Sequence, residues 1–154
     1  MIKLQPGDCL LYGGCGLIST AIKIKTWSPV SHVEIFVGVD RVVAARSGGS
    51  HFYPFDPKNL KEVWRPKEDV DTLASMRWFV KEAEGQRYDI WGLFRFFTLG
   101  KQSKDKQFCS ELATRFYRRG GFEPFNRLTD ADLVSPGMFR TSAKMERVWP
   151  RGND

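Results

Sequence analysis

Short apolar runs separated by turn residues occupy the first half of the chain, and the apolar period becomes helical in the second. After the turn Pro6-Gly7-Asp8, the run Cys9-Leu10-Leu11-Tyr12 predicts a strand, which Gly13-Gly14-Cys15-Gly16 breaks. Leu17 to Lys25 predicts a short helix, with apolar Leu17, Ile18, Ala21, Ile22 and Ile24. Val30 to Val37 (VSHVEIFV) is rich in β-branched and aromatic residues and lies between Pro29 and Gly38, so it reads as a strand. Val39-Asp40 makes a tight connection to another strand, Arg41 to Ala45. Further strands are predicted over His51 to Phe55 and at Val63-Trp64-Arg65, the last stopped by Pro66.

From Asp71 the apolar residues Leu73, Met76, Phe79, Val80 and Ala83 recur at helical spacing, and Gly85 ends the run. Asp89 reads as the N-cap of a second helix, Ile90 to Phe97. Thr98 to Gln107 is polar and lysine-rich, which predicts a surface loop. Cys109 to Arg119 is a third helix, ended by Gly120-Gly121, and Met145 to Trp149 predicts a final strand. Strands grouped early and helices grouped later point to an α+β fold rather than a doubly wound sheet.

At 154 residues, 42% hydrophobic and without internal repeats, the chain fits a single domain spanning 1–154 with one core. No stretch approaches the roughly 20 apolar residues of a membrane span, so no transmembrane segment is expected. The opening MIKLQPGDCLLYGG lacks the layout of a secretory signal. The expectation is a cytoplasmic protein, of a size and cysteine usage that suit a bacterial or phage-encoded one. The net charge of +6 comes from scattered Lys and Arg rather than a dense run. A nucleic-acid role would rest on that charge alone, since no nucleic-acid motif is present. Cys9, Cys15 and Cys109 form an odd set, which argues against a disulfide framework. No Cys-x-x-Cys pair occurs, and His32 and His51 are the only histidines, so no zinc site and no cofactor are expected.

Cys109, in Gln107-Phe108-Cys109-Ser110-Glu111, stands where a helix begins. It is either a packing residue or a nucleophile. Unpaired N–H groups at a helix start and a nearby imidazolium both lower a thiol pKa, and the same N–H groups can hold an oxyanion. The base would have to be a histidine. His32 lies in a predicted strand, on the opposite face from Val33, where an unpaired imidazole is costly. His51 follows a Gly-rich turn and is predicted to be exposed, which makes His32 the better partner for Cys109.

The run Ser31-His32-Val33-Glu34-Ile35, followed much later by Phe108-Cys109-Ser110-Glu111-Leu112, resembles the circularly permuted branch of the papain-like NlpC/P60 superfamily, the YiiX/YaeF-like cysteine hydrolases. The resemblance also takes in Pro6-Gly7-Asp8-Cys9-Leu10-Leu11, Arg87-Tyr88-Asp89-Ile90-Trp91-Gly92, and the Asp132-Leu133 and Ser135-Pro136 segment. In that group the histidine strand precedes the cysteine helix, the reverse of the papain order. The resemblance implies a permuted papain-like fold, with a small antiparallel sheet or barrel packed against helices. It implies Cys109 as nucleophile and His32 as base, with Tyr88 near the nucleophile as an aid to the oxyanion. Ser110 adds first-turn polarity beside the nucleophile. It further implies an amidase or peptidase acting on peptide, peptidoglycan or related amide bonds, with lipid esters ranked second.

The sequence departs from that pattern at one point. Relatives often carry a carboxylate on the strand after the histidine strand, but here that strand reads Arg41-Val42-Val43-Ala44-Ala45-Arg46. The expected position is at or near Ala44, and neither Ala44 nor Arg46 can accept an imidazole N–H. Glu34, two residues from His32 on the same strand face, is the nearest alternative third catalytic residue, although it could instead form an ion pair. Ser47 or a backbone carbonyl are further options. The aromatic run Trp91 to Phe97 would either line an apolar cleft or pack in the core. The missing strand carboxylate supports the alternative reading, a catalytically weak or inactive binding module of the same fold.

Overall fold

The computed structural model describes residues 3–14, 28–88, 106–107 and 109–150. Five strands come first: β1 (Cys9–Tyr12), β2 (His32–Gly38), β3 (Arg41–Arg46), β4 (Gly49–Pro54) and β5 (Leu60–Pro66). Helix α1 (Thr72–Trp78) continues as a π turn over Phe79–Ala83. Two-residue strands β6 (Arg87–Tyr88) and β7 (Lys106–Gln107) pair in parallel, so the end of the expected polar loop is strand. Helix α2 (Cys109–Arg119) follows, then two 3-10 turns and β8 (Met145–Trp149). The main sheet runs β4-β3-β2-β1-β5-β8, antiparallel throughout, with its edges at β4 and β8. The architecture is thus α+β, an open sheet rather than a closed barrel. No helix among the described residues is long and apolar enough to cross a membrane.

Apolar residues cover both faces of the sheet. Cys9, Leu11, Val33, Ile35, Val43 and Ala45 pack with Leu112, Ala113, Phe116 and Tyr117 of α2 and with Phe79 and Ala83. Leu10, Tyr12, Phe36, Val42, Ala44, Leu60 and Val63 form a second cluster. The alternation along β1, β2 and β3 assigns one parity to each cluster. His32 and Glu34 share a parity with Phe36, while Val33 and Ile35 face α2.

The β2–β3 hairpin turns on Val39 (φ 50) and Asp40 (φ 52), the two positive φ angles of a two-residue type I′ connection. A β-branched residue is rare there, and Val39 stands fully in solvent. The α1 segment buries Ser75, Phe79 and Ala83, whereas Leu73 and Val80 are exposed, so the face expected from hydropathy is only partly the face that packs. Ser75 sits inward because its hydroxyl donates to the Phe116 carbonyl at 2.7 Å. Gly120 allows that approach, since a Cβ there would lie 2.5 Å from Ser75 Oγ. The expected helices Leu17 to Lys25 and Ile90 to Phe97, the cap Asp89, and Cys15 lie outside the described residues.

Candidate active site

His32 opens β2 rather than lying inside a longer strand, and pairs across the sheet with Tyr12 of β1. Cys109 is the first residue of α2. Packing α2 over Val33 and Ile35 brings the helix start to the beginning of β2. The His32 imidazole and the Cys109 thiol are hydrogen-bonded there. Imidazole Nε2 stands 3.0 Å from Glu34 Oε1, which leaves Nδ1 for the sulfur. Glu34 is 3% exposed and Cys109 5%, while His32 is 24% exposed, so the imidazole is the edge of the site that solvent can reach.

Two buried thiols show what the histidine does. Burial pushes the Cys9 thiol well above its usual range. Burial acts on Cys109 in the same direction, but the His32 charge, its hydrogen bond, and backbone N–H bonds from Val33 and Ser110 outweigh it and hold the thiol below the usual range. His32 moves in the complementary direction. Burial alone would lower its pKa, but Cys109 and Glu34 raise it well above the ordinary imidazole range. Both directions favour a thiolate facing an imidazolium.

Glu34 joins the two readings left open by the sequence. It accepts from His32, and it is also gripped by Arg46 of β3, with Nε to Oε1 at 2.8 Å and Nη2 to Oε2 at 3.0 Å. The β2–β3 register sets Ile35 opposite Val43, which leaves Glu34 and Ala44 as near neighbours across the pair. The carboxylate missing from Ala44 thus reaches the imidazole from the adjoining strand. Burial raises the Glu34 pKa, but the bonds from His32 and Arg46 prevail and hold it below its ordinary value. A depressed carboxylate stabilises the fold above its unfolded pKa, near 4.3, and loses that contribution as pH falls through its folded value. The unfolding midpoint is therefore expected to drop as pH is lowered from about 5 to about 3. Urea titrations should show a shallower drop for Glu34→Gln, and an unchanged slope would contradict this role.

The Ser110 hydroxyl is turned away and donates to the Val134 carbonyl, so Ser110 meets the sulfur through its backbone N–H. Tyr88 is a residue of β6, and its side chain, like the aromatic run Trp91 to Phe97, lies outside the described residues. His51 sits on β4, opposite Ala44 and edge-on to Tyr53. Sequence reasoning missed two neighbours. Arg46 cannot accept an imidazole N–H, but an arginine on the strand beside a glutamate is itself a pairing signal. Tyr12, opposite His32, buries a hydroxyl close to Glu34 without a hydrogen bond of good geometry. Among the described residues no three His, Cys, Asp or Glu side chains gather in a group that could hold a metal ion.

No protein-family model matches the chain, and no curated protein matches it. Its structure is similar to the crystal structure of the metalloprotein yiiX from Escherichia coli O157:H7 (DUF1105), with a TM-score of 0.70 and 23% sequence identity. The match covers 94% of this chain and 96% of that one. The chain therefore has a yiiX-like α+β fold.

Proposed function

We propose that the chain is a cysteine hydrolase of the circularly permuted papain-like, NlpC/P60 type, acting on peptide, peptidoglycan or related amide bonds, with lipid esters as the second substrate class. The observation that carries this reading is the Cys109–His32 pair, with the buried Cys109 at a helix start and Glu34 on the far imidazole nitrogen. The histidine strand preceding the cysteine helix supports the permuted order.

In this reading the Cys109 thiolate attacks the acyl carbon, and the carbonyl π electrons move onto oxygen. N–H groups in the first turn of α2 hold that oxyanion. As the carbonyl re-forms, the bond to the leaving group breaks and the His32 imidazolium protonates the departing nitrogen or oxygen. The neutral imidazole then takes a proton from water as the water attacks the thioester. The acid product leaves, and the proton on His32 restores the ion pair. Glu34 keeps the ring oriented throughout.

The similar structure is that of a metalloprotein. Here the imidazole stands between thiol and carboxylate with both ring nitrogens engaged, and among the described residues no three-donor group is gathered. That donor set does not fit a metal ion, so no step is routed through one. The alternative of an inactive binding module drew on the missing β3 carboxylate, and Glu34 at the imidazole removes that support.

The test is a panel of stem peptides, simple amides and lipid esters, with acid quenching and mass spectrometry of the Cys109 peptide. An acyl adduct on Cys109 is expected, with turnover lower by at least about a thousandfold in Cys109→Ala. The pH profile should be bell-shaped, its acidic limb below the ordinary thiol range and its basic limb above the ordinary imidazole range. Turnover that survives in Cys109→Ala would refute the mechanism.

A further inference from the structure

Arg46 closes β3, and its guanidinium crosses to β2 to take both oxygens of Glu34. One of those oxygens, Oε1, also receives His32 Nε2, so imidazole and guanidinium meet on a single atom. Around this carboxylate stand Tyr12 from β1, with its buried hydroxyl, and Tyr53 from β4, whose ring lies 4.5 Å from the guanidinium carbon. The Tyr53 hydroxyl is committed to the Gly49 carbonyl at 2.9 Å, which holds the ring under Arg46.

Glu34 is a long side chain that must fold back along its own strand to reach a ring two residues away. One hydrogen bond to His32 leaves its carboxylate free to turn about the last torsion. A bidentate guanidinium fixes both oxygens and therefore the carboxylate plane, which a point charge such as a lysine ammonium does not do. We propose that Arg46 is a positioning residue, whose planar fork holds Glu34 in the orientation that receives the His32 Nε2 proton. Glu34 on β2 and Arg46 on β3 together stand in for the carboxylate that Ala44 does not supply. The inference rests on the reading of Cys109 and His32 as a reactive pair, and its test separates the two.

The full chain is compared with Arg46→Lys and Arg46→Met in two measurements. The first is the proton NMR signal of the imidazole N–H bound to a carboxylate, which lies far downfield and exchanges slowly. His51 is the only other histidine and serves as the internal reference. The second is the alkylation rate of Cys109 at about pH 6. The native chain should show the His32 resonance. Both variants should lose it and react at least about twofold more slowly, the loss left when a rise in thiol pKa through the assay pH is partly offset by the greater nucleophilicity of a more basic thiolate. A resonance retained in Arg46→Lys would mean that charge suffices and would overturn the proposal, as would its retention in Arg46→Met or its absence from the native chain. Loss in both variants, with a native Cys109 no more reactive than an ordinary thiol, would uphold the lock and refute the reactive pair instead. Arg46→Lys keeps a cation beside the buried Glu34, so it carries the test if Arg46→Met does not fold.

Discussion

His32→Ala is expected to convert Cys109 from a thiol that reacts at about pH 5 into one whose rate climbs about tenfold per pH unit until the ordinary thiol range. Without the imidazolium, burial of the sulfur is opposed only by the backbone N–H bonds from Val33 and Ser110. At pH 5 a thiol of pKa about 8.5 is ionised in only about three molecules in ten thousand. A more basic thiolate is intrinsically more nucleophilic, with a Brønsted coefficient of about 0.4–0.5 in thiol exchange, and this offsets part of the loss. The net fall at pH 5 is therefore expected to be about tenfold or more, and the change in slope is the firmer signature. Alkylation rates of the two proteins across pH, read by mass spectrometry, check it. Parallel profiles would show that the histidine does not set the state of the thiol.

The second large effect is on stability. Phe116→Ala is expected to cost about 3–5 kcal/mol, the range for emptying a buried phenylalanine site. Phe116 is fully buried in the cluster that joins α2 to β2 and β3, and its carbonyl accepts the Ser75 hydroxyl. A domain has only about 5–15 kcal/mol in total, so this single change removes a large part of it. Leu128→Ala, at a site 90% exposed, should stay within about 0.5 kcal/mol. Urea unfolding of both variants decides this, and a Phe116→Ala loss no larger than that of Leu128→Ala would contradict the packing of α2 on the sheet. Cys109 belongs to the same helix, so the fold and the site depend on one interface.

Much of the architecture was legible in the sequence where apolar runs meet strong punctuation. The strands at Cys9–Tyr12 and Met145–Trp149 and the helix Cys109–Arg119 have the bounds that their flanking turns and glycines suggest. The buried face of α1 was less legible. Hydropathy points to Leu73, Met76, Phe79, Val80 and Ala83, but of these only Phe79 and Ala83 are fully buried, alongside Ser75, which its bond to α2 turns inward. At the site, Cys109 and His32 are far apart in sequence, and neither spacing nor periodicity brings them together. The chemistry of a strand histidine makes His32 the better partner, the family resemblance strengthens that pairing, and the packing of α2 on β2 supplies the contact. Arg46 was opaque for a different reason. Its role depends on a side chain crossing between strands to a carboxylate displaced from its expected strand, and a linear pattern does not register such a swap.

The central claim is that Cys109 is a thiolate because His32 faces it. It is tested most directly by the pH dependence of iodoacetamide labelling in the native chain, resolved peptide by peptide so that Cys9 and Cys15 serve as internal controls. The account predicts that Cys109 labels rapidly at about pH 5 to 6, while Cys9, buried and raised, stays unlabelled across the ordinary thiol range. Labelling of Cys109 that begins only at about pH 8 to 9 would contradict the ion pair and the hydrolase mechanism built on it.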